Sequence, residues 1–256
     1  MRPGLGWLPD LPDPRDQPFS KLALPFAKAP SSASLGKWLG TLILDQSITS
    51  SCVWHAIAYA VFVCHRKGGA AAPPLLSRLF GYFNTRVRHG SQDVDGGTYI
   101  REGIKSLAAL GFCPESLWPF DPGNVNTRPD WDAYQGASDR KMPVGYYRID
   151  GHGSVRVDQV RAAIAAGDPV ILGTEIGQDF VDDTEGLIFG PPSTSVGGHA
   201  MCLLEYDATG FRGPQSWGMT RDGVDHPDGW FAMDAEYIAS EVTRDLWAFR
   251  TVPAFT

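Results

Sequence analysis

Hydrophobic positions in the first half of the chain follow a helical pattern, after a start that is rich in proline. Residues 1–40 contain the run LPDLPDPRD, which is typical of an extended or polyproline-like arm. The nearly continuous apolar run 53–63, preceded by the capping candidates Ser50 and Ser51, predicts a helix that is buried on most sides. Gly111 is a typical helix end. Helices are predicted over 52–66, 75–88 and 98–110.

The second half has the pattern expected of β-strands. After a loop-rich stretch at 121–143, short apolar runs are separated by turn residues. Strands are predicted over 144–149, 169–175, 199–206, 229–233 and 246–252, with one helix over 157–166. The chain as a whole predicts an α+β fold in three parts, with the two lobes meeting at a cleft. The parts are an arm at 1–40, a helical lobe at 41–143 and a β-rich lobe at 144–256.

Composition limits the function classes. At 256 residues and 43% hydrophobic content, the chain can bury a substantial core. The net charge of −7 and the lack of a long basic stretch argue against a nucleic-acid partner. No apolar run approaches the roughly 18 residues of a membrane span, and the start lacks the apolar core of a signal peptide. We therefore expect cytoplasmic synthesis and no membrane partner.

Cys52 is the first candidate for chemistry, because it stands where the first predicted helix begins. Unpaired N–H groups and the positive end of the helix dipole stabilise an anion there, which predicts a lowered thiol pKa and a reactive sulfur. The alternative is that Cys52 is one of the small, inert cysteines of protein cores. All four cysteines are expected to be free thiols in a reducing compartment, at Cys52, Cys64, Cys113 and Cys202.

Three later segments carry glycine, histidine and tryptophan in a distinctive order. They are Asp95-Gly96-Gly97-Thr98, Gly197-Gly198-His199-Ala200 and Gln215-Ser216-Trp217-Gly218. Together with the Gln-x5-Cys run that ends at Cys52, they resemble the papain-like cysteine peptidases, of the bacterial or viral type without a long propeptide. The separation of Cys52 from His199, 199 − 52 = 147 residues, lies within the roughly 130–150 of that family.

The resemblance implies a fold and a role for each matching residue. Cys52 would be the nucleophile and His199 the base, and the side-chain amide of Gln46 would stabilise the oxyanion. The fold would have a helical lobe, with the nucleophile helix at its centre, packed against an antiparallel, barrel-like β lobe. The residues implied to bind the substrate or cover the histidine are Gly96, Gly97, Gly198 and Trp217.

Gln215 departs from the family pattern, which has asparagine at this place. Glutamine carries the same amide one methylene further out, so it would still accept from the imidazole N–H but would hold the ring less firmly. We expect reduced rather than abolished activity. The alternative is that Gln215 makes no contact with His199 and that the site has decayed.

No metal or cofactor is expected. Cys52 with His55, and Cys64 with His65, contain the residue types of a zinc site. Cys64 and His65, however, are sequence neighbours that point in different directions on a helix. We therefore do not predict a metal centre from these residues.

Three function classes remain open. The first is a thiol peptidase that hydrolyses peptide or protein substrates. The second is a papain-fold module with weakened catalysis, which serves as a structural or binding part of a larger assembly such as a viral particle. The third is acyl transfer to an amine. The N-terminal arm either closes the fold by packing 19–24 across the β lobe, which we favour, or restrains activity; it is also a candidate assembly contact.

Overall fold

Helices come mostly from the first half of the chain and strands from the second. The computed structural model describes residues 4–22, 29–221, 224–225 and 228–251. The α-helices are α1 (Gly36–Leu39), α2 (Cys52–Lys67), α3 (Arg78–Val87), α4 (Ile100–Leu110), α5 (Trp131–Ser138), α6 (Gly153–Ala165), α7 (Gln178–Asp182) and α8 (Ala235–Ala239). Two short 3-10 helices lie at Phe19–Lys21 and Pro122–Asn124.

The strands form two sheets and one hairpin. They are β1 (Ala33–Ser34), β2 (Val144–Arg148), β3 (Val170–Ile176), β4 (Ile188–Phe189), β5 (Gly197–Leu203), β6 (Glu205–Tyr206), β7 (Phe211–Pro214), β8 (Thr220–Arg221), β9 (Val224–Asp225), β10 (Trp230–Met233) and β11 (Thr243–Thr251). One sheet has the order β2-β11-β3-β5 and the other β1-β6-β7-β10-β4, while β8 pairs with β9. Within the described ranges, every pairing is antiparallel except that of β10 with β4.

The β lobe is not a barrel. Strands β5 and β6 are consecutive in sequence but belong to different sheets, because the chain passes from one to the other at Leu204. The N–H of Leu204 donates to the carbonyl of Arg212 at 3.0 Å. In the described part of the chain, the edge strands of each sheet, β2 and β5 in one and β1 and β4 in the other, do not pair with each other, so both sheets stay open. The expected barrel-like closure is therefore wrong, whereas the expected α+β fold is confirmed.

Helix α2 runs through the middle of the molecule. Its first ten residues are all buried, and it packs against β3, β5 and β11 as well as α1, α3 and α4. Trp54 packs on α3 at Gly81, which has no side chain, and its Nε1 donates to Thr85 Oγ1 at 2.9 Å. A close-packed apolar helix cannot shift without opening cavities on several sides. The position of Cys52, its first residue, is therefore set by the core.

Predicted elements agree with the structure apart from shifts at their ends, except that the predicted strand 199–206 is divided at Leu204 into β5 and β6. The sequence does not predict the short elements α1, α7, α8, β1, β4, β8 and β9. Helix α5 lies in the stretch 121–143, which the sequence predicts as a loop; the carboxylate of Asp130 caps it by accepting from the N–H of Ala133 at 2.9 Å. The sequence also does not predict β7, which contains a glycine and ends at a proline. Ser51 is the N-cap residue of α2, but its hydroxyl contacts Thr49 Oγ1 at 2.7 Å instead of capping.

Gly81→Ala tests the packing of α2. The added methyl would overlap the indole of Trp54, so we expect the free energy of unfolding to fall by about 1–3 kcal/mol, although alanine favours helices. Chemical denaturation measures the change. Gly145→Ala on β2 is the control, because its methyl would meet only ordinary contacts at 3.7 Å. Equal stability of the two variants would contradict this account.

Candidate active site

Cys52 is fully buried at the start of α2. Burial raises the pKa of its thiol to about 11, although hydrogen bonds from the backbone of Ala200 and Gly6 oppose the rise. The helix N-terminus alone predicts a change in the other direction, so the expected lowering of the pKa is wrong for this form of the protein. The physical reason is that a thiolate closed off from water loses its solvation.

His199 on β5 and Gln215, directly after β7, contact each other. Nε2 of His199 and Oε1 of Gln215 are 3.2 Å apart. The same Oε1 accepts from the backbone N–H of Ser216 at 3.0 Å, which decides which end of the amide faces the ring. Because an amide oxygen only accepts, the imidazole carries its proton on Nε2, and Nδ1 is the basic nitrogen. The structure therefore does not show the alternative in which Gln215 makes no contact with His199.

Two aromatic residues hold this pair in place. The rings of Trp217 and His199 lie with their centroids 4.6 Å apart and their planes at 31°, and Trp217 is buried. The hydroxyl of Tyr59, on α2, donates to the carbonyl of Gln215 at 2.8 Å and accepts from the N–H of Leu44 at 2.5 Å. Burial raises the pKa of Tyr59, so the phenol keeps its proton. Tyr59 of α2 therefore links the segment that carries Gln215 to the loop that carries Gln46.

Gln46 is fully buried on the loop that precedes α2. Its Oε1 accepts from the hydroxyl of Ser216 at 2.6 Å. Its Nε2 donates to the carbonyls of Thr49 and Gly4, each at 2.7 Å. With the oxygen held by a hydroxyl, the NH₂ group is directed at Gly4, which belongs to the N-terminal arm. The sequence does not predict the contribution of Ser216 to this orientation.

Gly97 and Gly96 differ in what they contact. Gly97 has φ +85°, and a Cβ there would overlap the carbonyl of Gly6, so only glycine fits. Its N–H donates to the hydroxyl of Tyr82 at 2.9 Å, and that hydroxyl donates to Asp95 at 2.6 Å. Gly96 is exposed, and a Cβ there would meet nothing closer than 3.8 Å. Gly97 therefore lies directly against Gly6 of the N-terminal arm, whereas Gly96 is exposed.

Residues 4–8 of the N-terminal arm lie in a cleft between residues 97–98 and strand β5. The N–H of Trp7 donates to the carbonyl of Gly198 at 3.2 Å, and the N–H of Thr98 donates to the carbonyl of Gly6 at 2.8 Å. Trp7 and Thr98 form a parallel bridge. The arm is therefore bound through its main chain, as an extra strand would be. The sequence does not predict this placement, because the cleft is assembled from segments far from the arm.

The later part of the arm packs across the fold. Phe19 is buried, Pro18 forms a parallel bridge with Arg148, and the hydroxyl of Ser20 donates to Asp150 at 2.5 Å. Residues 23–28 lie outside the described part of the chain. The favoured interpretation, closure of the fold, therefore describes this later part, while residues 4–8 occupy the cleft.

Two buried carboxylates anchor the arm. Trp7 Nε1 and the backbone N–H of Asp10 donate to the same oxygen of Asp245, at 3.0 and 2.8 Å. Trp247 Nε1 donates to Asp10 at 2.9 Å. Burial, with a contribution from the charge of Asp245, raises the pKa of Asp10 to about 7, and burial also raises the pKa of Asp245. Docking of the arm is therefore linked to protonation near neutral pH.

His55 braces the loop before α2. Its Nδ1 lies 3.1 Å from the carbonyl of Ser51, and its Nε2 lies 3.2 Å from the carbonyl of Asp45 and from a guanidinium nitrogen of Arg78. Burial lowers its pKa well below the usual value, and the charge of Arg78 acts in the same direction. The ring is therefore neutral. Because Nε2 accepts from Arg78, its one proton lies on Nδ1, which donates to the carbonyl of Ser51. The sequence named His55 only as a residue type found in zinc sites and did not predict this structural role.

Other candidate chemistry is limited. All four cysteines are buried free thiols. Among the residues that the structure describes, no group of three His, Cys, Asp or Glu could hold a metal ion. In the same residues, no helix combines the length and apolar character needed to cross a bilayer.

The chain is similar to known proteins over most of its length. An uncharacterized peptidase C1-like protein of Acanthamoeba polyphaga mimivirus is 33% identical over 222 residues, which cover 82% of this chain and 70% of that protein. The chain belongs to the papain-like cysteine peptidases. No family model matches it.

Solved structures share the fold. Xylellain, a cysteine protease from Xylella fastidiosa, gives a TM-score of 0.84 at 29% identity, over 98% of this chain and 97% of its own. Bromelain from Ananas comosus, solved in complex with the E64 inhibitor, gives 0.64 at 14% identity, over 86% and 99%. The bromelain likeness shows the fold alone. The papain-like fold that the sequence predicts is confirmed.

Gln215→Asn tests whether the longer amide is fitted to this backbone. The side-chain oxygen of residue 215 would lie about 1.5 Å, the length of one C–C bond, further from His199 Nε2. The backbone could not follow, because its carbonyl is held by the hydroxyl of Tyr59. We expect alkylation of Cys52 by an epoxide inhibitor, followed by intact mass, to slow by about tenfold, although asparagine is the residue of the family. Gln178→Asn, the same deletion on the exposed part of α7, should leave the rate unchanged. A Gln215→Asn rate at or above wild type would contradict the fit.

The carboxylate pair predicts how closure of the cleft depends on pH. A carboxyl whose pKa is raised on folding stabilises the docked state while protonated, and this contribution is lost as the pH rises through about 7. The groups that face Asp10 are Asp245 on β11 and Arg101 on α4, with Arg148 on β2 paired to Asp245. Charge on both carboxylates should therefore loosen the arm.

Asp10→Asn measures this effect. The variant keeps an acceptor for Trp247 but cannot ionise. We expect the ratio of the wild-type to the variant rate of Cys52 alkylation to rise between about pH 4 and 7, where Asp10 is ionised in the released arm but protonated in the docked one, and to level off above about pH 7. Ionisation of the thiol itself cancels in this ratio, because both proteins share it. Parallel rate profiles would show that Asp10 does not control the arm.

Proposed function

We propose that this protein is a thiol peptidase that cuts peptide bonds through an acyl-enzyme on Cys52, with His199 as the base. The observation that carries the proposal is the contact between His199 Nε2 and Gln215 Oε1 at 3.2 Å. It leaves Nδ1 basic, on a strand whose next residue, Ala200, reaches the sulfur of Cys52 with its backbone. A nucleophile, a base and an orienting amide are the parts that thiol catalysis needs.

Each residue then has a defined step. His199 takes the thiol proton, and the thiolate attacks the carbonyl carbon of a bound peptide. The carbonyl oxygen becomes an oxyanion, which accepts from Nε2 of Gln46. The imidazolium gives its proton to the leaving amine, and the acyl group stays on sulfur. Water, deprotonated by the same imidazole, then hydrolyses the thioester and restores the thiol.

In the form described here, the arm takes the place of a substrate. The carbonyl of Gly4 accepts from Gln46 Nε2 at 2.7 Å, where the oxygen of a reacting carbonyl would accept. The backbone of Gly6, two residues further along the arm, contacts the sulfur. Peptide binding then requires displacement of residues 4–8, and the arm restrains activity until that happens. The raised pKa of Cys52 supports this, because a filled cleft keeps the thiol neutral.

The substrate backbone would bind where the backbone of the arm lies now. The carbonyl of Gly198 and the N–H of Thr98 are the acceptor and donor that the arm uses. Contacts with main-chain atoms are available to any peptide sequence. Selection among sequences must then come from side-chain pockets beside this track.

The same filled cleft favours a second candidate, a papain-fold module that binds rather than cuts. A neutral, closed-off Cys52 is compatible with a structural part of a larger assembly, for which a viral particle is one setting. Acyl transfer to an amine would use the same acyl-enzyme, and no contact among the described residues favours it over hydrolysis.

Labelling of Cys52 distinguishes the two proposed functions, peptidase and binding module. Full-length protein is incubated with an epoxide inhibitor of thiol proteases and analysed by intact mass, and cleavage of an unfolded protein substrate is followed in parallel. We expect one adduct and cleavage in wild type, and neither in Cys52→Ala.

Cys113→Ala is the matched control, because it removes another buried cysteine and should keep both signals. Because a docked arm would also slow labelling, the same measurement is made on a variant that lacks residues 1–8. Neither adduct nor cleavage in both proteins, each folded by circular dichroism, would favour the binding module.

A further inference from the structure

Arg78 places a charged side chain in the core behind the loop that carries Gln46. It is the first residue of α3 and is buried. One nitrogen of its guanidinium donates to an oxygen of Glu115, and its Cζ lies over the ring of Phe120, 4.5 Å from the centroid. The backbone N–H of Phe120 donates to the same oxygen of Glu115 at 2.8 Å. The guanidinium is therefore held on two sides, and its other terminal nitrogen contacts His55.

Arg78 determines which nitrogen of His55 carries the proton. Nε2 of His55 lies 3.2 Å from a guanidinium nitrogen of Arg78 and 3.2 Å from the carbonyl oxygen of Asp45. A guanidinium only donates and a carbonyl only accepts, so the two neighbours require opposite states of Nε2. Burial lowers the pKa of His55 well below its usual value, which keeps the ring neutral. With Arg78 in place, Nε2 is the acceptor and Nδ1 carries the single proton.

A series of hydrogen bonds leads from Nδ1 of His55 to the backbone of Gln46. Nδ1 lies 3.1 Å from the carbonyl and 3.3 Å from the hydroxyl of Ser51. The hydroxyl of Thr49 lies 2.7 Å from that of Ser51 and donates to the carbonyl of Gln46 at 2.7 Å. Because Thr49 uses its proton there, the Ser51 hydroxyl donates to Thr49 and accepts from His55. Every donor in this relay, from Arg78 onward, therefore points towards Gln46.

The relay ends on the turn that directs the side chain of Gln46. The backbone N–H of Thr49 donates to the carbonyl of Gln46 at 3.1 Å, and Nε2 of Gln46 donates to the carbonyl of Thr49 at 2.7 Å. If the proton of His55 moved to Nε2, Nδ1 would face the carbonyl of Ser51 with a lone pair, and the Ser51 hydroxyl would turn from Thr49 to the ring. The turn would then lose a buried hydrogen bond that supports it.

We propose that Arg78 is a positioning residue for the oxyanion: it fixes the tautomer of His55 and thereby holds the turn from which Gln46 donates. The inference rests on the proposed peptidase function, because Gln46 acts on a reacting carbonyl only in that reaction. Arg78 acts through the relay and needs no contact with substrate. Loss of Arg78 should therefore slow a reaction that forms an oxyanion more than one that only alkylates Cys52.

The tautomer of His55 tests the first step of the relay without any catalysis. Full-length protein with 15N-labelled histidine is studied by NMR, and the signals of His55 are assigned by their absence from His55→Asn. We expect the chemical shift of a protonated nitrogen for Nδ1 and of an unprotonated one for Nε2. In Arg78→Met, whose side chain cannot donate, we expect the proton on Nε2, where the carbonyl of Asp45 accepts it. Arg88→Met, at the other end of α3, is the matched control and should keep the wild-type signals.

Two substitutions at His55 distinguish a positioning role from a merely structural one. The amide nitrogen of asparagine is as many bonds from Cα as Nδ1, and the amide nitrogen of glutamine is as many bonds from Cα as Nε2. His55→Asn therefore keeps a donor for Ser51, whereas His55→Gln keeps only the contact with Arg78. A structural role predicts the opposite order of damage, because the smaller asparagine leaves the larger cavity.

The readout for these variants is the ratio of two second-order rate constants in the full-length protein. Cleavage of casein at low concentration forms an oxyanion, whereas alkylation of Cys52 by iodoacetamide does not. Both reactions need an open cleft, so displacement of the arm cancels in the ratio.

We expect the ratio of cleavage to alkylation to fall about tenfold in Arg78→Met and in His55→Gln. This is part of the roughly 10²–10³ that the complete loss of an oxyanion donor costs, because Gln46 is displaced and not removed. His55→Asn and Arg88→Met should stay within about threefold of the wild-type ratio. The wild-type spectrum and the pair of His55 variants decide the question even if Arg78→Met does not fold.

The inference and the proposed function fail in distinguishable ways. Casein cleavage by wild type, together with a proton on Nε2 of His55 or a lower ratio in His55→Asn than in His55→Gln, would overturn the relay and leave the peptidase intact. An unchanged tautomer in a folded Arg78→Met would do the same. No cleavage by wild type, with Cys52 still alkylated, would overturn the peptidase and the catalytic role of Arg78 together, whichever tautomer the spectrum shows.

Discussion

The packing of α2 against β5 is the contact on which the site depends. It places Cys52, the first residue of a buried helix, beside the strand that carries His199, and the backbone of Ala200 reaches the sulfur. Because the helix is enclosed on most sides, neither element can slide without opening a cavity in the core. Tyr59 extends the same packing to Gln215 and Leu44, so the orienting amide and the loop before the nucleophile are held by one phenol.

The N-terminal arm also binds to β5, the strand that carries His199. Its main chain pairs with Thr98 and with β5, and its anchors, Trp7 and Asp10, contact the carboxylate of Asp245 on β11. Two buried carboxylates in one place are costly unless they are protonated or hydrogen-bonded, and here indole and backbone N–H groups surround them. We therefore expect closure of the cleft to depend on the protonation of these two carboxylates.

Much of this could be predicted from sequence. The apolar run after Cys52 marks a buried helix, because only a helix enclosed by other elements tolerates apolar residues on all faces. The spacing of Gln46, Cys52 and His199 identified the candidate site, since residue types and order survive in the sequence. The pKa of Cys52 was predicted in the wrong direction, because helix polarity is local whereas burial depends on what covers the sulfur. Gln215 could be recognised as a departure, but its 3.2 Å contact with His199 depends on the path of the backbone after β7.

The sequence by itself determined the α+β fold, the family and the candidate nucleophile and base, because these are expressed in local periodicity and in short motifs. Only the tertiary structure decided that residues 4–8 lie in the cleft, that Gly97 rather than Gly96 contacts the arm, and that Asp245 receives Trp7 across 238 residues of sequence. The physical reason is that burial, hydrogen-bond partners and shape complementarity arise between segments distant in sequence. No local pattern encodes them.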